Sequence, residues 1–156
     1  MKKFITLAVV LLTWCFAQAA QVDPNTAKTV GKNFWRQTSR TVAADLQLVY
    51  QAKSGTLQPK TYYYVFNTVG TEGFVIVSGD DVAAPILGYS DKGWFKGHNI
   101  PEHVAAWLAF YENEIQHAII NDLPTNEAVG AKWKSLVKES DSPVFTRAVV
   151  GPLMET

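Results

Sequence analysis

Beyond the first twenty residues, apolar positions in this chain change period twice. In "VDPNTAKTVGKNFWRQTSR" they recur at helical steps, with Ala27, Val30, Phe34, Trp35 and Thr38 on one stripe. Asp23 is placed to cap this helix and Pro24 to sit in its first turn, where a missing N–H is tolerated. Gly31 weakens the pattern. "DLQLVYQAKS" then alternates: Leu46, Leu48, Tyr50 and Ala52 point one way, Asp45, Gln47 and Gln51 the other, which predicts a half-buried strand. "TYYYVFNTV" is aromatic and β-branched, a second strand. "GTEG" reads as a tight turn, "FVIVS" as a third strand apolar enough to be central, and "PILGYS" as a fourth beyond the break "GDDVAA". "DKGWF" reads as a short fifth. Strands so close together need hairpins, so the sheet is expected to be antiparallel.

The period then returns to helical. Val104, Trp107, Leu108, Tyr111, Ile115 and Ile119 define a long helix, with Asn99 as cap and Glu102 completing a capping-box pattern. Val129, Trp133, Leu136 and Val137 define another, with Thr125 as its expected cap. This order predicts an α+β domain: an antiparallel sheet of about four to five strands with helices packed on one face.

The first nineteen residues follow a different logic. Lys2 and Lys3 precede an apolar run from Phe4 to Phe16, and Ala17-Gln18-Ala19 is a small-x-small cleavage motif. Residues 1–19 thus read as a signal peptide cleaved between Ala19 and Ala20, and the product as secreted, with no membrane attachment afterwards. Cys15 is the only cysteine and lies inside the leader, so the processed chain carries no thiol nucleophile, disulfide or thiolate metal site.

Charge narrows the field further. Fourteen basic residues balance fourteen acidic ones, without the basic stripe of a nucleic-acid surface. Asp80 and Asp81 could bind a divalent metal, but adjacent side chains on a strand diverge, and a turn is the better reading. His103 and His117 are about 21 Å apart along a helix and cannot share an ion; His98 with His103 makes only two ligands. Glu114 and His117 form one Glu-x-x-His step where a di-iron bundle needs two. No serine elbow or phosphate loop is present. No cofactor or catalytic role is expected, and nothing demands more than a monomer.

One segment carries a resemblance. Tyr64, Phe66 and Asn67, then Gly73 through Asp80 ("GFVIVSGD"), then Ile86 through Ser90 ("ILGYS") resemble, in order, the prodomain of the streptopain family of bacterial cysteine peptidases. Glu72 stands where that family has the first glycine of a pair, and Tyr111 with Ile115 fits its following helix. The resemblance implies an inhibitory, folding-assisting prodomain that blocks the catalytic domain of such a peptidase, in cis or in trans. It makes the turns Asn67–Gly73 and Gly79–Ala84 candidate contacts, with Asn67, Thr68, Gly70, Glu72, Gly79, Asp80 and Asp81 as contact residues. The tail "AVVGPLMET" resembles the start of the family's catalytic domain, which implies a prodomain over 20–146, maturation cleavage near Thr146, Arg147 and Ala148, and a zymogen fragment. The alternatives are a free-standing inhibitor, or a secreted binding module whose mark would be exposed aromatics among Tyr62, Tyr63, Trp94 and Phe95.

Overall fold

The computed structural model describes residues 20–38 and 45–138. The leader, Ala19 and the Thr146–Ala148 site lie outside them. The described elements run α1 (Pro24–Thr38), β1 (Asp45–Lys53), β2 (Thr61–Val69), β3 (Phe74–Ser78), β4 (Ile86–Ser90), α2 (Glu102–Ile120) and α3 (Glu127–Val137). The strands form one sheet in the order β1-β2-β3-β4, each neighbour antiparallel. The α+β class and the antiparallel hairpins are as the sequence predicts.

The placement of the helices is not. On β2, Tyr64 and Phe66 join one core while Tyr63 and Val65 join another; on β3, Val75 and Val77 oppose Phe74 and Ile76 in the same way. Ala27, Val30 and Phe34 of α1, with Trp133 and Leu136 of α3, cover the first face. Leu108 and Ile115 of α2 cover the second. Helices therefore lie on both faces rather than one. The physical reason is that β3 is buried at every position and β2 nearly so, and a strand apolar on both sides needs a cover on both. Each fully buried Leu or Ile contributes roughly 2 kcal/mol, so Leu108 and Ile115 alone hold α2 appreciably. Tyr63 adds a polar pin: its Oη donates to Glu112 Oε1 at 2.9 Å. Burial, then the neighbouring carboxylate, pushes this phenol well above its ordinary pKa.

β1 also departs from its simple alternation. Leu48 pairs with Phe66 and Tyr50 with Val65, so Val49 is an extra residue in a β-bulge. Leu46 and Leu48 therefore pack with α1, whereas Tyr50 and Ala52 pack on the α2 side. The four residues that look like one face are divided between two. "DKGWF" is a loop, not a fifth strand.

Asp23 caps α1 as expected, its Oδ1 accepting from the N–H groups of Asn25 at 2.9 Å and Thr26 at 3.1 Å. Gly31 has a packing reason: a Cβ there would lie 3.0 Å from Leu46 and 3.2 Å from Val75, so glycine lets α1 approach the sheet. Thr38, by contrast, is exposed and leaves the buried stripe. The other two caps differ from expectation. α2 begins after Pro101 with no side-chain cap, because Asn99 sits in a left-handed backbone (φ 52°) two residues too early. α3 is capped by Asn126, which accepts from Ala128 N–H at 2.8 Å, while Thr125 bonds to Asp81 instead. Lys28 and Lys32 reach Asp45 from α1 at 3.0 and 3.3 Å. Lys28, then the Leu46 N–H, then Lys32 hold that carboxyl down at about 2.

Candidate functional site

The two predicted turns flank β3, whose five residues place them at opposite ends of the sheet, about 17 Å apart. Each is built from short-range chemistry that can be followed residue by residue.

In the turn after β3, Gly79 passes so close to β2 that a Cβ would collide with the Thr61 carbonyl oxygen. Ser78 Oγ donates to Asp80 O at 2.7 Å and accepts from Asp80 N–H at 3.2 Å. Asp80 is 2% exposed; its carboxylate accepts from Val82 N–H and from Gln21 Nε2. Asp81 accepts from Ala20 N–H and Thr125 Oγ1. Trp133 Nε1 donates to Ala83 O at 2.9 Å, fixing α3 to the same turn. The expected Asp80 self-turn is present, and Asp81 serves more distant segments. Among the described residues no group of three or more His, Cys, Asp or Glu side chains could hold a metal.

In the turn after β2, Thr68 Oγ1 donates to Thr71 O at 2.7 Å and to Gly73 O at 3.1 Å. Gly70 (φ 84°) and Gly73 (φ 133°) supply the left-handed torsions that reverse the chain. Thr68 is buried, whereas Val69, Gly70 and Glu72 are exposed. Glu72 Oε2 accepts from Gly93 N–H, and Gly73 N–H donates to Gly93 O. The Asn67 amide brackets Phe95, donating to its carbonyl at 3.0 Å and accepting from its N–H at 2.9 Å. Three residues of this turn thereby suspend the loop that follows β4.

That loop holds "DKGWF", with Trp94 and Phe95, two of the four aromatics that would mark a binding surface. Phe95 turns inward against Phe74 and Tyr50, with ring centroids at 5.8 and 5.7 Å. Trp94 beside it turns outward and is 52% exposed. Between the loop and α2 lies a cavity of about 310 Å³, walled by Phe74, Ile76, Phe95, Val104 and Trp107 and edged by Trp94, His98 and His103. Exposed Asn99 stands on its rim with the positive φ already noted. Asparagine is among the few non-glycine residues that take this conformation readily, so Asn99 serves as a turn residue ahead of α2. Of the four aromatics that would mark a binding surface, Tyr62, Tyr63 and Phe95 are buried and Trp94 is exposed. The available signal was the juxtaposition "GWFKGHN", aromatic and glycine-rich, directly before a helix.

The sequence model of the Spi protease inhibitor family matches residues 19–115. The chain is 31% identical over 117 residues to thiol protease/hemagglutinin PrtT of Porphyromonas gingivalis, covering 72% of this chain and 13% of that protein. It is 40% identical over 77 residues to streptopain of Streptococcus pyogenes, covering 49% of this chain and 18% of that protein. The chain thus spans less than a fifth of either relative's length. No solved structure matches.

Proposed function

The chain belongs to the Spi protease inhibitor family, and from that premise we propose that it is the inhibitory and folding-assisting prodomain of a secreted streptopain-like cysteine peptidase. The observation that carries this reading is the family match, which runs from the start of the described domain through the sheet and into α2. The partner is the catalytic domain of such a peptidase, and the prodomain itself is non-catalytic. Residues 1–19 direct export and are then removed, and release of the peptidase follows cleavage near Arg147. A short secreted inhibitor acting in trans uses the same surface. Among the described residues, no helix is long and apolar enough to cross a membrane.

Such a prodomain needs a rigid surface complementary to a cleft, with a few anchoring side chains. The two turns are too far apart to enter one narrow cleft together. We assign the contact to the Asn67–Gly73 end. Asp80 at the other end is buried and hydrogen-bonded, and Asp81 and Gly79 are engaged by neighbouring segments. The assigned end offers exposed Val69, Gly70 and Glu72 beside Trp94 and an apolar hollow. Tryptophan is a frequent interface anchor, because it buries much area with few rotatable bonds. When inhibitor and enzyme share one chain, high effective concentration makes modest affinity sufficient, and cutting the linker removes that advantage.

The test is titration of the exported, processed chain against mature streptopain, with papain as control. Inhibition of streptopain and none of papain is expected. Absence of both inhibition and binding would remove the inhibitory role and leave a secreted binding module with another target.

A further inference from the structure

We infer that removal of the leader after Ala19 creates an α-ammonium group on Ala20 that Asp81 receives as an ion-pair partner. Hydrolysis of the Ala19–Ala20 bond adds water across it, leaving a carboxylate on Ala19 and an ammonium on Ala20. The Ala20 nitrogen lies 2.6 Å from Asp81 Oδ1. It is held there by an extended bridge: Asp81 N–H donates to Ala20 O, Val22 N–H to Gly79 O, and Gln21 pairs with Asp80. Gln21 also reaches both ways, donating to Asp80 Oδ2 and accepting from Thr61 N–H. The nitrogen therefore has a seat that its charge would complete.

The neighbouring charges favour Asp81 as the receiver. Asp80 is committed to Gln21 and Val82, and Asp23 to the α1 cap. Lys134 and Lys138 line the groove beside Ala20, while Lys60 and Asp122 stand on the far side of Gln21. Among the described residues, Lys28 and Lys32 pair with Asp45, which lies opposite Val69 on β2, and Asp81 has no side-chain cation within 4 Å. Asp81 also accepts from Thr125 Oγ1 at 3.0 Å, ahead of α3. The bond from the amide to the Asp81 carboxylate is already charge-assisted, and an ammonium in its place adds the attraction of a full positive charge to it. Processing thus tightens a junction of the N-terminal segment, the turn after β3 and the lead into α3.

The inference rests on leader cleavage but not on inhibition. The full chain is expressed in an exporting host, and the mass of the purified product must correspond to an Ala20 start; another start overturns the inference without touching the inhibitory reading. The product is then treated with dilute acetic anhydride near neutral pH, with acetylation of the α-amine followed by peptide mapping. The α-amine is expected to react about fivefold more slowly than in Asp81→Asn, since pairing holds it protonated. Acetylation is expected to lower the Tm of the unsubstituted protein by about 3 °C, a change small in Asp81→Asn. The Tm of the unsubstituted protein before and after acetylation stands alone if the variant folds poorly. Equal rates, or no Tm change on acetylation, would overturn the pairing.

Discussion

At one end of the sheet, the turn after β3 directs its polar groups at its own molecule: Asp80 to Gln21, Asp81 to Ala20 and Thr125, and the Ala83 carbonyl to Trp133. At the other, the turn after β2 uses Asn67, Glu72 and Gly73 to hold a loop whose tryptophan faces outward over an apolar hollow. Both ends rely on a glycine in tight contact, Gly79 against Thr61 and Gly73 against Trp35 and the Ser90 carbonyl. The difference lies in what the hydrogen bonds serve. The closed end ties α3 and the N-terminal segment to the sheet, while the open end orients a surface that its own domain does not cover. A rigid inhibitor needs both, because an exposed apolar side chain contributes to binding only when ordering it has already been achieved by folding.

Substitutions can separate the two ends. The largest effect is expected from Trp133→Ala at the closed end: about 4 kcal/mol of stability from the emptied site and the lost bond to Ala83, read by denaturant unfolding. The inhibition constant of the fraction still folded should be unchanged. Asn67→Ala should act on both properties, since it leaves the Phe95 N–H and carbonyl without their partner; about 2 kcal/mol of stability and a weaker inhibition constant are expected together. Trp94→Ala should do the reverse of Trp133→Ala. Its inhibition constant should rise about thirtyfold, near 2 kcal/mol, while Tm moves by less than about 1 °C. If Trp94→Ala inhibits normally and a variant of the closed turn does not, the assignment of the two ends is reversed.

The smallest effect is expected at Asp45, on the strand edge opposite Val69. Its carboxyl is held at about 2 by Lys28, the Leu46 N–H and Lys32. A depressed carboxyl contributes stability that is present above the unfolded value near 3.9 and lost as pH falls toward 2. Asp45→Asn should therefore flatten the loss of Tm between pH 4 and pH 2, and change Tm at pH 7 by only about 1 °C, because the pair is solvent-screened.

Sequence alone determined the types and order of the three helices and four strands described, though not the absence of a strand at "DKGWF", and with them the Asp23 cap, the hairpin turns and the glycines within them. These are local properties: a 3.6-residue stripe, a two-residue alternation or a glycine before a strand reports the backbone it favours within a few positions. The helices were expected on one face, although the unbroken apolar run "FVIVS" carries the signal for cover on both. Tertiary structure alone decided where each apolar face pointed and which polar groups met. The bulge at Val49 moved Tyr50 and Ala52 to the opposite face from Leu48. Thr125 was drawn from the α3 cap to Asp81, forty-four residues away, and Asn67 to Phe95, twenty-eight away. Such pairings depend on strand register and on which helix covers which face, and no periodicity within a segment encodes them. The open end, with Trp94 turned out and Phe95 turned in, exists because two adjacent residues of a suspended loop face opposite ways, one into the core that β3 and α2 share and one into solvent.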